Sequence, residues 1–189
     1  KQLSVKTPYE PEFKLRVINT ESHNILNILF SIALASEIGA RSEHILSAMT
    51  DYDGVEGRSK IYKGINNSRI IDSSYNANPQ SFKASINDLL SCTGKRWVVM
   101  GQMGELGKKS EEYHVNLALY AANNQIDKLF IITEHNQAIM RAFGNNAHAF
   151  NSIPDLIDFI RPLVRNDTNI LVKASRFMHF DTIVDDLKL

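Results

Sequence analysis

The sequence contains almost no cysteine: Cys92 is the only one in 189 residues, so no disulfide can form within the chain. A chain without disulfides suits a reducing compartment. No apolar run approaches the roughly 20 residues that a membrane-spanning helix needs. The first 15 residues have neither the apolar core of a signal peptide nor an initiator Met. These features predict a soluble, cytoplasmic fragment of a longer protein that does not insert into a membrane.

The sequence also has no excess of charge of either sign. Lys and Arg number 21, and Asp and Glu number 21, so no long-range field attracts nucleic acid or an anionic membrane. Three catalytic signatures are missing as well: a Ser-His-Asp pattern, a metal-binding cluster and a phosphate-binding GxxxxGK[ST] loop. His114 and His179 have no partner at metal-ligand spacing, which favours solvated histidines or histidines at the edge of the core.

What the sequence does have, from residue 58 onward, is an alternation of strand and helix patterns. Strands are predicted at 59–65, 68–73, 96–100, 128–133, 147–150 and 169–173. Helices are predicted at 79–90, 110–124, 136–143, from Ser152 to Pro162, and at 177–187. Such alternation requires parallel strands joined by right-handed crossovers. Residues 58–189 are therefore predicted to form a Rossmann-like α/β domain with a mostly parallel sheet and helices on both faces.

Residues 1–57 have a different pattern. The predicted elements are one strand at 13–20 and helices at 21–39 and 42–50. Two helices and one strand do not make a complete domain, so this part is interpreted as the tail of another domain. The predicted boundary lies in the segment 51–58, which carries two glycines and three acids.

The stretch IIDSSYNANP, residues 70–79, leads from a strand through a polar loop into an amphipathic helix. Asn78 is a good N-cap, and Pro79 suits the first helical position because its missing N–H would have no partner there. Two further polar loops, 101–107 and 174–179, also follow predicted strands. In a parallel sheet all three loops meet at one edge, where open α/β sheets bind their ligands. We therefore expect the ligand site at that edge.

Several residues of the last two loops have both a functional and a structural interpretation. Glu105 could face a ligand amine or water, or the glycines around it could simply form a turn with positive φ. Lys173, Ser175 and Arg176 follow a buried strand. Their ammonium and guanidinium groups suit a carboxylate, but a solvated basic loop would look the same.

The predicted first helix carries two asparagines on one face, Asn24 and Asn27. A side-chain amide suits a purine edge because it both donates and accepts hydrogen bonds. Polar surface or helix capping would equally explain the pair. The spacing alone therefore leaves a nucleotide contact and a structural role open.

Taken in order, these pieces resemble the Mur ligase family. The segments that carry the resemblance are HNILN, GR at 57–58, IIDSSYNANPQS, GQMGELG, SEEYH and LVKASR. The resemblance runs from about residue 15 to residue 189 and is greatest to the branch of the family that adds D-Ala-D-Ala to UDP-N-acetylmuramoyl-tripeptide in peptidoglycan synthesis. It implies an ATP-dependent amide ligase that uses Mg²⁺ and an acyl phosphate, and a monomer of three domains.

The resemblance also implies roles for individual parts of the chain. Residues 1–57 would be the end of a central ATP-binding domain, and residues 58–189 the C-terminal domain. The residues expected near ATP are Asn24, Asn27, Arg58, Asp72, Ser73, Tyr75, Asn76 and Asn78. The residues expected around D-Ala-D-Ala are Glu105, Lys173, Ser175 and Arg176. Arg58 is also the expected catalytic residue, whereas the magnesium ligands would lie upstream, so the chain alone should not catalyse ligation.

Three positions depart from the family pattern. Ser73 replaces an acid expected at the ATP ribose, Gln102 replaces another acid, and Ala174 replaces a glycine. Asp72 could take over the ribose contact, although one step along a strand turns a side chain to the other face. Ala174 is harmless only if its φ is negative. Two alternatives therefore remain: a Rossmann-like module kept for binding or regulation, and a sister amide ligase with another acceptor.

Overall fold

A computed structural model of the chain describes residues 2–17, 22–50, 52 and 54–189, with residues 22–24 described for their helical backbone only. The chain divides into two compact units, Lys1–Gly54 and Val55–Leu189. The division falls three residues before the boundary predicted after residue 57.

The first unit consists of a two-stranded antiparallel sheet and two helices. Its elements are β1 (Gln2–Val5), β2 (Phe13–Arg16), α1 (Ser22–Glu37) and α2 (Ser42–Thr50). In the described part of this unit the buried apolar cluster is small and comprises Val5, Leu15, Ile32 and Ile45. Strand β1 was not predicted. Pro8 and Pro11 predict a turn or edge for the part before the strand at 13–20, but in the structure they lie in the connection between two paired strands.

The spacing of Ile25, Leu29, Ile32 and Ser36 predicts that these residues share the buried face of helix α1. Ile32 and Ser36 are buried, but Leu29 is 40% exposed and Ile28 packs against the core instead. The 3.6-residue period of a helix allows either Ile28 or Leu29 to complete the stripe. The apolar content of this helix therefore did not identify its buried face.

The second unit is built on a six-stranded sheet. Its strands are β3 (Lys60–Lys63), β4 (Arg69–Ser73), β5 (Lys95–Gly101), β6 (Lys128–Ile132), β7 (Ala147–Ala149) and β8 (Thr168–Lys173). They lie in the order β3-β4-β8-β5-β6-β7. The Asn66-Asn67 pair between the first two predicted strands indicates a hairpin. Strands β3 and β4 are antiparallel, in agreement with it, and every other pair is parallel. The prediction of a mostly parallel sheet is confirmed.

Five helices cover the two faces of this sheet. They are α3 (Pro79–Leu90), α4 (Ser110–Asn123), α5 (Asn136–Phe143), α6 (Ile153–Ile160) and α7 (Asp181–Leu187). Helices α3, α4 and α5 contribute to one buried cluster, and α6 and α7 contribute to the other. Within β5, Val98 and Met100 enter the first cluster, whereas Trp97 and Val99 enter the second. A strand covered on both faces reads as a continuous apolar run, which is why β5 was predictable.

Helix α3 begins as its sequence indicated. Asn78 Oδ1 accepts a hydrogen bond from the backbone N–H of Ser81 (2.8 Å), and the N–H of Asn78 donates to Ser81 Oγ (3.1 Å). Pro79 occupies the first helical position. This reciprocal capping satisfies two backbone N–H groups at the helix start, and such caps contribute about 1 kcal/mol to stability.

The predicted start of the last helix is wrong, whereas α4 begins at Ser110 as predicted, and both starts lie beside the expected ligand edge. The last helix begins at Asp181 rather than at Phe177, because a 3₁₀ turn (Arg176–Met178) and His179, with a φ of 51°, come first. Ser110 does not cap α4: the cap position is Lys109, which makes no side-chain cap, and the hydroxyl of Ser110 accepts a hydrogen bond from Gln102 instead.

Candidate functional site

The three polar loops converge at the carboxyl ends of β4, β8 and β5, and Ser175 joins them. Its Oγ accepts from the backbone N–H of Gly104 (2.9 Å) and donates to the carbonyl of Ala77 (3.4 Å). Its own backbone N–H donates to the carbonyl of Gln102 (3.0 Å). Ser175 is 5% exposed. The three loops therefore meet as the sequence predicted, and hydrogen bonds of the buried Ser175 connect them.

Lys173 makes a second connection between two of these loops. Its Nζ donates to the carbonyl of Asn76 (3.0 Å) and lies 6.0 Å from the centroid of the Phe82 ring, and the residue is only 5% exposed. Because a buried ammonium needs polar partners, this position fixes the loop that contains Asn76. Lys173 and Ser175 thus direct their polar atoms at the protein, rather than at the solvent where a dipeptide would approach.

Asp72 and Ser73, both predicted to contact ATP, are buried. Asp72 Oδ2 accepts from the N–H of Gly57 (2.8 Å), and Oδ1 accepts from the N–H (3.0 Å) and Oγ (2.7 Å) of Ser74. The hydroxyl of Ser73 lies 3.1 Å from that of Ser59. The structure therefore gives no support to a ribose contact by Asp72, whose carboxylate fastens the turn before β3 to the end of β4.

Tyr75 lies at the surface near two arginines. Its ring is 4.5 Å from the guanidinium carbon of Arg58 and 5.8 Å from that of Arg176, measured to the ring centroid. Tyr75 is 45% exposed, and its N–H donates to the carbonyl of Gly57 (3.0 Å). A Cβ on Gly57 would lie 2.8 Å from Tyr75 Cβ, so only glycine allows this approach. Arg176 also pairs with Asp181 at 3.8 Å.

Four asparagines were also predicted to contact the nucleotide: Asn24, Asn27, Asn76 and Asn78. Asn76 and Asn78 are exposed, but Asn76 Oδ1 accepts from the N–H of Ala77 (2.8 Å), and Asn78 caps α3. Asn27 is exposed on α1. The side chain of Asn24 lies outside the described residues. The amide pair near adenine therefore stays a prediction.

A cavity of about 500 Å³ opens beside the loop 101–107. Its lining residues are Gln102, Met103, Gly104, Glu105, Leu106, Gly107, Ser110, Ile132, Thr133, Glu134, Phe177 and Met178. The lining residues include two acids, Glu105 and Glu134, but no lysine or arginine. Glu134 also lies 3.3 Å from His135 Nε2. The acidic lining favours a ligand with a positive end. A Cβ on Gly104 would come within 3.1 Å of the Phe177 ring, so glycine keeps the cavity open at this point.

A hydrogen-bond network lies along one wall of the cavity. Gln102 Nε2 donates to Ser110 Oγ (3.1 Å) and to Glu134 Oε1 (3.0 Å), and His135 Nε2 lies 3.0 Å from the same Ser110 Oγ. An acid at position 102 would face Glu134 with a like charge, whereas the amide can donate to it. Gln102 is therefore suited to its neighbour in this chain.

His114 was expected to be solvated or at the edge of the core, and it is instead fully buried. Its Nε2 accepts from the N–H of Met103 (3.0 Å), and its Nδ1 donates to the carbonyl of Ser110 (2.8 Å). These two bonds require the neutral ring with its proton on Nδ1. Burial lowers the pKa of His114, and nearby His135 acts in the same direction. The sequence did not indicate that His114 is buried, because its partner Met103 lies 11 positions away and reaches it only in the folded chain.

One departure from the family pattern is Ala174, which replaces a glycine and packs against Gly101. Ala174 is fully buried and is not among the residues with positive φ, so its methyl group introduces no backbone strain. A Cβ on Gly101 would lie 2.5 Å from the Cβ of Ala174. Glycine is needed at position 101 because of close packing, and not because of an unusual φ.

The described residues contain neither a metal-binding cluster nor a membrane-spanning helix. Within this part of the chain, no group of three or more His, Cys, Asp or Glu side chains could hold a metal ion. Among the same residues, no helix has both the length and the apolar character that crossing a membrane requires.

Residues 57–176 match the family model of the Mur ligase glutamate ligase domain. This match covers more than half of the sequence, and the chain therefore belongs to the Mur ligase family, as its motifs indicated. The UDP-N-acetylmuramoyl-tripeptide–D-alanyl-D-alanine ligase of Escherichia coli (strain K12) is 33% identical over 168 residues. The enzyme with that name from Bacillus subtilis (strain 168) is 28% identical over 174 residues. The alignments cover 88% and 87% of this chain.

Solved structures agree with this grouping. MurF from Acinetobacter baumannii superposes with a TM-score of 0.88 at 28% identity, covering 98% of this chain and 42% of that one. MurF from Thermotoga maritima in complex with ADP superposes with a TM-score of 0.76 at 22% identity, covering 93% and 40%, which bears on the fold alone. The chain spans 37% of the Escherichia coli relative and 38% of the Bacillus subtilis relative.

Proposed function

We propose that this chain is the C-terminal part of an ATP-dependent ligase that joins D-Ala-D-Ala to UDP-N-acetylmuramoyl-tripeptide. Relatives with that name match most of the chain at 27–33% identity. The structural observation that carries the proposal is the cavity beside loop 101–107, whose charged lining residues, Glu105 and Glu134, are both acidic. This lining suits the ammonium group of an incoming dipeptide. In this proposal Lys1–Gly54 is the end of the central ATP-binding domain, and Val55–Leu189 is the acceptor domain.

The proposed reaction forms an amide bond in two steps. The terminal carboxylate of the tripeptide attacks the γ-phosphorus of ATP, which gives an acyl phosphate and ADP. The dipeptide amine, after losing a proton, attacks the acyl carbon, and the tetrahedral intermediate expels inorganic phosphate. A carboxylate beside the bound ammonium can accept that proton. Glu105 and Glu134 are the side chains of the cavity placed to do so.

Some of the remaining residues would contact a reactant, and the others would hold the contacting residues in position. Exposed Arg58 suits the phosphates, since a guanidinium binds phosphate oxygens in pairs, and Tyr75 lies beside it. Lys173, Ser175 and Asp72 act through the loops that they hold. We retain Asn24 and Asn27 as proposed adenine contacts.

Magnesium and the remaining partners belong to the same proposal. Because the described residues offer no metal cluster, we assign Mg²⁺ to the ATP phosphates and to ligands upstream of this chain. The metal would neutralise phosphate charge during transfer. The use of ATP and a UDP-linked precursor favours a cytoplasmic protein, and we propose that it acts as a monomer.

A phosphate-release assay tests the proposal. The protein should carry this chain together with the upstream region that its relatives possess, and the assay should supply ATP, Mg²⁺ and UDP-N-acetylmuramoyl-tripeptide. We expect phosphate release to require D-Ala-D-Ala and not to occur with D-alanine or L-glutamate in its place. Release with a single amino acid but not with the dipeptide would reassign the chain to a sister amide ligase.

The alternative of a binding module without catalysis rested on Ser73 and Gln102. Both residues have partners in the fold, since Ser73 lies 3.1 Å from Ser59 and Gln102 donates to Ser110 and Glu134. These contacts account for Ser73 and Gln102 without any loss of catalytic activity. In the same assay Arg58→Ala should lower turnover at least about tenfold, the scale of one lost charge-assisted contact. An unchanged rate would show that Arg58 does not contact a reactant, and the non-catalytic alternative would be favoured if the unmodified protein released no phosphate.

A further inference from the structure

Arg58 and Arg176 meet at the same tyrosine, although they come from opposite ends of the second unit. Arg58 precedes β3, and Arg176 begins the 3₁₀ turn after β8. Their guanidinium carbons lie 4.5 and 5.8 Å from the centroid of the Tyr75 ring. The side chain of Arg176 is 63% exposed, and Tyr75 is 45% exposed. All three groups are therefore accessible to a ligand from solvent.

The charges of this cluster do not balance. Asp181, the acid paired with Arg176, approaches only to 3.8 Å, and both side chains are largely exposed, so the pair contributes little. A cation over an exposed aromatic ring gains only about 0.5–1 kcal/mol. Two like charges held near one ring repel each other. An anion between or beside them would remove that repulsion and could take paired hydrogen bonds from each planar guanidinium.

The backbone fixes this arrangement. The Tyr75 N–H donates to the carbonyl of Gly57, so the ring is held next to the residue that follows, Arg58. Asp72 fastens the same turn from the other side through the N–H of Gly57 (2.8 Å). The backbone that carries Arg58 and Tyr75 is thus held by hydrogen bonds on both sides of Gly57.

The basic cluster and the acid-lined cavity share one short turn. Arg176 reaches Tyr75, whereas the next residue, Phe177, lines the cavity. The reaction proposed above needs an anion, the phosphate-bearing group, next to an amine. A turn of three residues that borders a positive cluster on one side and a negative cavity on the other would bring the two reactants together.

We propose that Arg58, Tyr75 and Arg176 form a single clamp for the phosphate-bearing reactant, with the tyrosine ring aligning both guanidinium groups. Arg176 then binds phosphate oxygens, and not the carboxylate of D-Ala-D-Ala as its sequence context suggested. The identity of the reactant, ATP or the acyl phosphate made from it, rests on the proposed function. The anion preference of the clamp rests on the geometry alone.

A binding experiment on the 189-residue chain tests the clamp without any catalysis. Inorganic tripolyphosphate is titrated while the NMR signals of the protein are followed. Arg58→Gln and Arg176→Gln should each weaken binding at least about fivefold, since each removes a charged donor from an exposed anion. Tyr75→Leu should weaken it as well, and Tyr75→Phe, which keeps the ring, should lose less than Tyr75→Leu. Arg141→Gln, in the last turn of α5, is the matched control.

The result that overturns the clamp is tripolyphosphate binding by Arg176→Gln that equals that of the unmodified chain. Equal losses from Arg141→Gln and Arg176→Gln would overturn it too, because they would indicate a general charge effect. Unchanged melting temperatures for all variants show that a loss of binding is not a loss of folding.

Kinetics in the longer ligase separate the clamp from the proposed function. Arg176→Gln should raise the KM for ATP or lower kcat, with the KM for D-Ala-D-Ala changed less than about twofold, because the dipeptide carboxylate does not use this side chain. A rise in the dipeptide KM alone would refute the clamp while the ligase function stands. No dipeptide-dependent phosphate release by the unmodified protein would refute the function, and tripolyphosphate binding would still decide the clamp.

Discussion

Asp72, a polar residue of the stretch IIDSSYNANP, uses its carboxylate for hydrogen bonds within the protein. Its carboxylate accepts three hydrogen bonds, from Gly57 and Ser74, and it is 4% exposed. Through Gly57 it fixes the turn that carries Arg58. Sequence pattern treats such a residue as a ligand contact, because the pattern cannot distinguish an oxygen that faces solvent from one that faces the backbone.

His114 gives a prediction at the same scale, for the pH dependence of stability. Below about pH 6.5 an unfolded histidine takes up a proton, but folded His114 stays neutral to a lower pH because burial lowers its pKa. The unfolded state therefore binds more protons, and the free energy of unfolding falls as the pH drops through this window. His114→Gln should make the fall shallower, by at most about 1.4 kcal/mol per pH unit for one proton. Urea unfolding between pH 5 and pH 8 measures it.

The matched control for this prediction is His179→Gln. The residue is exposed in the turn before α7, so the substitution removes no buried ring. Its stability profile should keep the slope of the unmodified chain. If His114→Gln also keeps that slope, then His114 does not exclude a proton in the folded state, and its two hydrogen bonds do not set its tautomer.

At the scale of elements, helix α3 has a testable cap. Asn78→Ala removes the acceptor for the Ser81 N–H, and we expect a loss of about 1 kcal/mol in the free energy of unfolding. Gln80→Ala, an exposed change in the first turn of the same helix, is the control. Urea unfolding of both variants measures the difference. A loss of ATP affinity in the longer ligase without a loss of stability would instead assign Asn78 to the nucleotide.

Elements were predictable from the sequence where local chemistry determines them. The continuous apolar runs of β5 and β8 and the cap at Asn78 are local signals, and the structure agrees with each. The start of α7 was missed because Phe177 and Phe180 continue the helical spacing, and only the left-handed backbone of His179 reveals the break.

The site was predictable in its location but not in its contacts. Parallel strands place the three loops at one edge, and sequence order suffices for that inference. The bonds from Lys173 to Asn76 and from Ser175 to Ala77 join residues nearly one hundred positions apart. No spacing in the sequence encodes such pairs. The acid-lined cavity likewise depends on Glu134 arriving from the end of a neighbouring strand.

At the scale of the molecule, the two units should differ in local stability. Among the described residues, the cluster of the first unit has four buried apolar side chains, whereas the second unit has two large clusters. Small cores supply little stabilisation, and local opening follows local packing. Native-state hydrogen exchange should therefore show faster exchange in α2 than in α3. Equal protection of the two helices would contradict this expectation.

Ser175 has a consequence for how ligands at the neighbouring loops affect each other. One buried hydroxyl is bonded to the loops on both sides of it, so a displacement of either loop strains the same pair of hydrogen bonds. If a ligand at one loop favours the joined arrangement, it raises the affinity of a ligand at the other by the same factor in both directions. Coupling between ligands at the two loops would then depend on a single side chain.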